Sequence, residues 1–407
     1  MSLRARDGGA QAVTPAELFF DLVYVFAVTQ LSGLIRHDLS ARGVLHAAFL
    51  LLVVWWAWIY TTWMVNWFDP ASPGVLAVLA AAMFASLLMA AALPQAFGAR
   101  GLLFAASYVA LQVGRNAAVI RLLPREHPLR DVFERVTAWS IASGALWLAG
   151  GALAGNQRLI VWVAALAVEL VAPAAGYWLP NRGRNATTDY DIEGGHFVER
   201  CQLFVLIALG ESIVVTGASA GSAGLTFTVV VGLAVAFVEM AALWWLYFGG
   251  PSERARDAMT TADDPGRLAR DAYTYGHLPI VAGIIATAVG LKLLIAAPDR
   301  PLHTVGLAML FGGPVLYLLG ESHYRWRISR THNVKGIAVA GILLLFAPIA
   351  HGLSALFVSA LVAALLTLLA VWESPVGNHR ALARPGLRDR GRATRRLRRT
   401  RRHRACR

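Results

Sequence analysis

The chain has 407 residues, of which 57% are hydrophobic and 15% charged, against about 25% charged in ordinary soluble domains. Mean hydropathy is +0.55 and the apolar residues run in blocks of about 20, the length of a membrane-crossing helix, which excludes an ordinary soluble domain. The net charge is +13, but residues 378–407 hold thirteen arginines and one aspartate, so the excess belongs to a tail and the body is close to neutral.

The composition predicts an all-α fold, a polytopic transmembrane helical bundle of about 12 spans. They fall near residues 15–35, 43–67, 73–96, 101–121, 132–153, 158–179, 195–218, 224–248, 272–295, 303–323, 333–350 and 353–373. Residues 1–14 read as a cytoplasmic N-terminal segment, with no cleavable signal peptide. Residues 15–180 and 195–373 form two halves joined by a cytoplasmic loop at 181–194, and the pattern allows two parallel six-helix repeats. Residues 374–407 read as a disordered cytoplasmic tail.

The first span opens Glu17-Leu-Phe-Phe-Asp21. Residues four apart share a helix face, and a carboxylate facing hydrocarbon costs about 2.5–3.5 kcal/mol on insertion scales. Both acids therefore point toward protein or water. A close carboxylate pair suits proton carriage or cation coordination; Glu17 lies nearer the interface and Asp21 about 6 Å deeper. The second span carries Trp55, Trp56, Trp58, Tyr60, Trp63 and Trp67, read as an interfacial belt and packing. In the fourth span Arg115 requires a partner, and an intramembrane acid such as Glu169 of the sixth or Glu239 of the eighth would serve.

The seventh span places Glu199 and Arg200 in its first turns, within reach of the cytoplasmic interface, and Glu211 deep in the bilayer. Gly210 is expected to admit a neighbouring helix closely. The ninth span opens Tyr273-Thr-Tyr-Gly-His277-Leu-Pro279. There His277 is able to switch protonation near neutral pH or to serve as a hydrogen-bonded packing residue, and Pro279 starts or kinks the helix. Glu321 lies near the cytoplasmic end of the tenth. His351-Gly352 is the expected hairpin between the last two spans.

No catalytic constellation, metal-ligand spacing or phosphate-cradling loop is present, so no cofactor is expected. Loops bearing Arg121, Arg125 and Arg130, Arg182 and Arg184, Arg254 to Arg270, and Arg325 to Lys335 share one side with the tail. The positive-inside rule then puts both termini in the cytoplasm of a multi-pass inner-membrane protein. The expected partners are the lipid bilayer, anionic headgroups at the tail and a small solute or ion; nucleic acid is not expected.

Three stretches resemble signatures of one family. They are Glu17 through Ser32, His196-Phe-Val-Glu-Arg200 through Leu209-Gly-Glu-Ser-Ile-Val214, and Tyr273 through Val281. In this order they are similar to the bacterial low temperature requirement protein A family, over roughly residues 12–373. The resemblance implies an integral membrane protein linked by name to growth in the cold, and carries no catalytic residues with it. A looser likeness joins Phe20-Asp21 and Thr29 to a potassium-channel family of six-helix repeats with a Phe-Ser-Asp signature. Phe20 stands where that signature has Ser and the seventh span lacks the pattern, so potassium selectivity is not carried over.

The residues thus point first to a transporter or channel. Its path would be lined by Glu17, Asp21, Glu211 and His277, and its charge balanced by Arg115, Arg200 and Glu199. A membrane enzyme acting on a lipid-type substrate with the same acids, and a scaffold or sensor whose buried charges only fix packing, are the other two readings.

Overall fold

The computed structural model describes residues 3–4, 11–190, 192–249 and 251–374. Each of the twelve predicted spans has its helix. The first six are α1 (Pro15–His37), α2 (Ala41–Trp67), α3 (Pro73–Ala92), α4 (Gly101–Leu122), α5 (Pro128–Ala152) and α6 (Gly155–Val171). After α7 (Gly194–Ala223) and α8 (Phe227–Phe248) come two short helices that the apolar pattern did not reveal, α9 (Pro251–Thr261) and α10 (Pro265–Leu268). The chain ends in α11 (His277–Ala296), α12 (Thr304–Ser329), α13 (Val334–Phe346) and α14 (Ala355–Glu373). The helices through Ala370 form one compact unit. The Arg-rich tail, with Cys406 and the expected lipid contacts, lies outside the described residues.

Among the described residues there is no strand, and nine helices are long and apolar enough to cross a membrane. Of the remaining predicted spans, α5 carries Arg130, Asp131, Glu134 and Arg135 near its start, α6 has 17 residues and α13 has 13. The bundle is a polytopic membrane protein by these criteria. On α1 the side chains facing outward are apolar, with Leu22 59% exposed, while Phe20, Asp21, Tyr24 and Val28 are buried. That division fits a helix with one face in lipid and one in protein.

Prolines set several boundaries. Pro128 and Pro73 stand in the first turns of α5 and α3, where a missing N–H costs nothing. Pro173 and Pro348 follow α6 and α13 and stop them. These two spans are consequently shorter than predicted, ending at Val171 and Phe346 rather than near 179 and 350. The last hairpin does turn at Gly352, which takes φ +88°.

The tightest helix pair is antiparallel. A Cβ at Gly313 of α12 would lie 2.4 Å from Thr287 of α11, and one at Gly283 would lie 2.5 Å from the Tyr317 backbone nitrogen. Gly290 and Gly320 continue the stripe. Small residues that let backbones meet are a main route to helix association in lipid. Gly210, expected to serve that purpose, does not: a Cβ there would meet nothing within 4 Å.

Between α10 and α11 the backbone runs as a π-helix, Ala269–Tyr275. Wider turns redirect carbonyls, and side chains from α2 and α11 take them up. Trp55 Nε1 donates to the Thr274 carbonyl at 2.7 Å, and His277 Nδ1 meets the Ala272 carbonyl at 3.1 Å. Trp63 Nε1 donates to Thr274 Oγ1 at 3.1 Å. The tryptophans of α2 are therefore not an interfacial belt: Trp55, Trp56 and Trp58 are wholly buried core.

Candidate functional site

The paired acids of α1 face α7, and the two helices run parallel. Thr14 caps α1 in a capping box, so Glu17 Oε2 accepts from the Thr14 N–H and hydroxyl, each at 2.8 Å. Arg4 reaches the same oxygen at 2.8 Å, anchored by its Nε on the Val65 carbonyl. The other oxygen, Oε1, lies 2.7 Å from His196 Nε2. One turn deeper, Asp21 holds Arg200 in a forked pair at 2.6 and 2.8 Å and accepts from Trp58 Nε1 at 2.8 Å. Arg200 also donates to the Glu17 carbonyl at 3.1 Å and stacks on Trp58. Glu17, His196 and Arg200 are 0% exposed and Asp21 is 1%.

Hydrogen bonding assigns the His196 tautomer. Asn66 Oδ1 accepts the Glu193 N–H at 2.9 Å, which fixes its amide orientation. Asn66 Nδ2 then faces His196 Nδ1 at 3.1 Å as a donor. His196 accepts at Nδ1 and donates from Nε2 to Glu17.

Two expectations change here. Arg200 is not at the interface; Asp21 draws it into the core, because a guanidinium and a carboxylate at this depth each need the other. Glu17 is not solvated either, since Arg4 and His196 cover it. The two carboxylates share no bond, so they are not a proton-sharing pair: each has its own cationic or N–H partner. Glu199 is half-buried, on an adjacent face of α7.

Farther along the same seam Thr29 donates to Glu211 Oε1 at 2.6 Å. Lys292 of α11 acts on Glu211 electrostatically, as Arg36 does on Lys292. From Glu17 to Thr29 the contacts advance about 18 Å along α1. His277 lies apart from these acids. It bonds Tyr247 through Nε2 at 2.7 Å, stacks on Tyr273 and meets Tyr324 edge-on.

Arg115 bonds neutral groups, Gln112 Oε1 at 2.6 Å and Thr61 Oγ1 at 3.0 Å. Gln112 passes the contact to the Tyr108 hydroxyl at 3.0 Å, and Tyr108 donates to Glu169. Arg115 and Glu169 are thus linked through two neutral side chains instead of touching. Glu239 is 0% exposed, and among the described residues neither carboxylate oxygen accepts a bond. Glu321 is buried rather than interfacial, held by Arg325 and by Asn333 Nδ2 at 3.0 Å.

Reading the sequence missed Arg4, His196, Asn66, Trp58 and Thr29. One partner left a signal: Thr14-Pro-Ala-Glu17 is a capping box, which points Glu17 back toward the N-terminal segment. Arg4 left none, since nothing in the twelve residues between it and Glu17 says that it folds back. Among the described residues no three His, Cys, Asp or Glu side chains converge to hold a metal ion.

The family model for the bacterial low temperature requirement A protein (LtrA) matches residues 12–371. A protein of Rhizobium meliloti (strain 1021), described as uncharacterized, is 37% identical over 362 residues, covering 88% of each chain. No solved structure matches significantly. Arg4 lies before the matched segment, whereas every other member of the seam cluster lies within it.

Proposed function

This chain belongs to the bacterial low temperature requirement A family of membrane proteins, and on that premise we propose that it is a transporter or channel for a small solute or ion. The polar path follows the seam between α1 and α7, which is paired and shut in the described conformation. The observation that supports this reading is the placement of intramembrane polar contacts at successive depths of one helix pair: Arg4 and His196 on Glu17, Arg200 on Asp21, Thr29 on Glu211. Packing alone does not call for such a series, since well-packed apolar residues replace buried ion pairs at little or no cost. Separating α1 from α7 would let water solvate Asp21 and Arg200, giving two discrete states: dry and paired, or wet and apart. A cation or proton at Asp21 or Glu17 competes with Arg200, Arg4 or His196 for the carboxylate and so favours the open state.

The protein is assigned to the inner membrane with both termini cytoplasmic, on the strength of its basic loops. The test is flux in proteoliposomes under a pH gradient, read with an internal pH dye and a panel of monovalent cations. Asp21→Asn and Glu211→Gln are expected to abolish flux, Glu211→Gln while eluting as monodisperse protein and Asp21→Asn at reduced yield, since it leaves Arg200 without its counter-charge. Glu211→Gln keeps an acceptor for Thr29, so its fold is retained. Flux at the level of the unaltered protein in both variants would overturn the reading.

A scaffold or sensor is the second reading, favoured by the complete burial of Glu17, His196 and Arg200. It predicts no flux for the unaltered protein under any gradient.

A further inference from the structure

We propose that the arginine-lined basin at the end of α6, α10 and α12 is a binding site for a phosphate-bearing anion. It is a cavity of about 400 Å³, within the range of small-molecule sites, about 300–1,000 Å³. Arg184, Asn185, Arg267, Arg270, Arg327 and Arg330 line it. They come from the loop after α6, the start of the π-helix region and the last turn of α12, so the site exists only in the folded bundle.

Charge is the first argument. Five arginines converge against two acids. Asp271 is shared between Arg270, at 2.7 Å, and Arg327, while Asp264 lies 3.5 Å from Arg267. Three positive charges remain in excess around one concavity, where they repel unless an anion joins them. Guanidinium forks match the oxygen geometry of phosphate.

Unmet hydrogen bonds are the second. Arg327 Nε and Asn185 Nδ2 are buried donors with no acceptor among the described residues. A buried donor left unmet keeps the full cost of its lost hydration, and an anion in the basin supplies acceptors to both. The orphaned atoms are all donors, which selects an acceptor-rich ligand over a cation or an apolar one.

Rigidity is the third. Arg327 and Arg330 both stack on Trp326, each 5.5 Å from its ring centre. Arg330 takes the left-handed conformation, φ +57°, that caps α12. On the facing loop, Gly176 at φ +62° accepts the Asn185 N–H at 2.8 Å, and a Cβ at Gly176 would come within 2.7 Å of the Asn185 carbonyl oxygen. Both walls are held before any ligand arrives, which lowers the cost of binding.

The phosphate could belong to a soluble molecule or to a phospholipid headgroup. Full-length protein in phosphatidylcholine nanodiscs is titrated calorimetrically with inorganic pyrophosphate. Detergent-purified protein is separately analysed by native mass spectrometry for retained phosphatidylglycerol. The variants are Arg184→Gln/Arg330→Gln, both exposed positions, and Arg327→Gln. The control is Arg121→Gln/Arg125→Gln, which removes two charges from the end of α4 and the loop after it without touching the basin.

Saturable pyrophosphate binding that weakens about tenfold or more in the variants and not in the control supports the site with a soluble ligand; tenfold is the scale of one charge-assisted bond. Phosphatidylglycerol adducts lost in the variants and kept in the control support it with a lipid headgroup. Equal effects in variants and control, or no binding in either arm, overturn it. Should Arg327→Gln fail to fold because Asp271 loses a partner, the exposed pair still decides.

Discussion

Asp21 and Arg200 show what a buried charge requires. Neither is tolerable alone in the core of a membrane bundle, and together they pair through two bonds, with Trp58 as third donor to Asp21 and as a face for the guanidinium, whose Nε has no acceptor among the described residues. Removing one partner of such a pair costs about 3–5 kcal/mol, because the other charge is left buried and unpaired. Asp21→Ala and Arg200→Ala are therefore each expected to lower the thermal unfolding midpoint in detergent substantially. The double variant Asp21→Leu/Arg200→Met should recover most of the loss, since apolar replacement of a whole pair is near neutral. A double variant as unstable as the summed singles would mean that the two residues act independently. The acids were legible because a charge in an apolar run stands out. Arg200 was legible as a balancing charge for the same reason, but Arg4, His196 and Trp58 were not, because a shared helix face says nothing about what stands opposite.

At the scale of elements, α11 and α12 are joined by glycine rather than by charge. Gly313 has no room for a Cβ beside Thr287, whereas Gly312, one residue away, would meet nothing within 4 Å. Gly313→Val should therefore sharply reduce the yield of monodisperse protein, and Gly312→Val should leave it unchanged, as read by size-exclusion chromatography of membranes solubilised in parallel. Similar yields from both would remove close backbone approach as the basis of this contact. Each of the twelve predicted spans is helical and, among the described residues, nine helices are long and apolar enough to cross a membrane, for helix formation in lipid follows from satisfying the backbone. The π-helix was not legible. Its redirected groups depend on Trp55 and Trp63, some two hundred residues earlier in the chain, and local pattern does not record such donors. The helix ends at Pro173 and Pro348 were written in the sequence, but the apolar runs continue past them and mask the stop.

At the scale of the molecule, arginine knits one end of the bundle together. Arg130 donates to the Ile120 and Leu123 carbonyls, Arg135 to the carbonyls of Arg182 and Gly183, and Arg327 pairs with Asp271. The loops thus joined are those whose basic residues favour retention in the cytoplasm. The far end is joined by Arg158, which donates to the Ala96, Gly98 and Leu153 carbonyls, and, where α11 meets the last hairpin, by main-chain bonds such as Leu356 N–H to the Pro298 carbonyl. Orientation therefore decides what each end meets. With Cys201 and Cys406 replaced by Ser, a membrane-impermeant maleimide applied to intact cells should label Asp299→Cys and spare Arg125→Cys until the cells are permeabilised. The reverse pattern would turn the arginine basin outward, away from cytoplasmic phosphate compounds. It would also place the Arg4–Glu17 end of the seam on the far side, so that whatever opens it acts from outside.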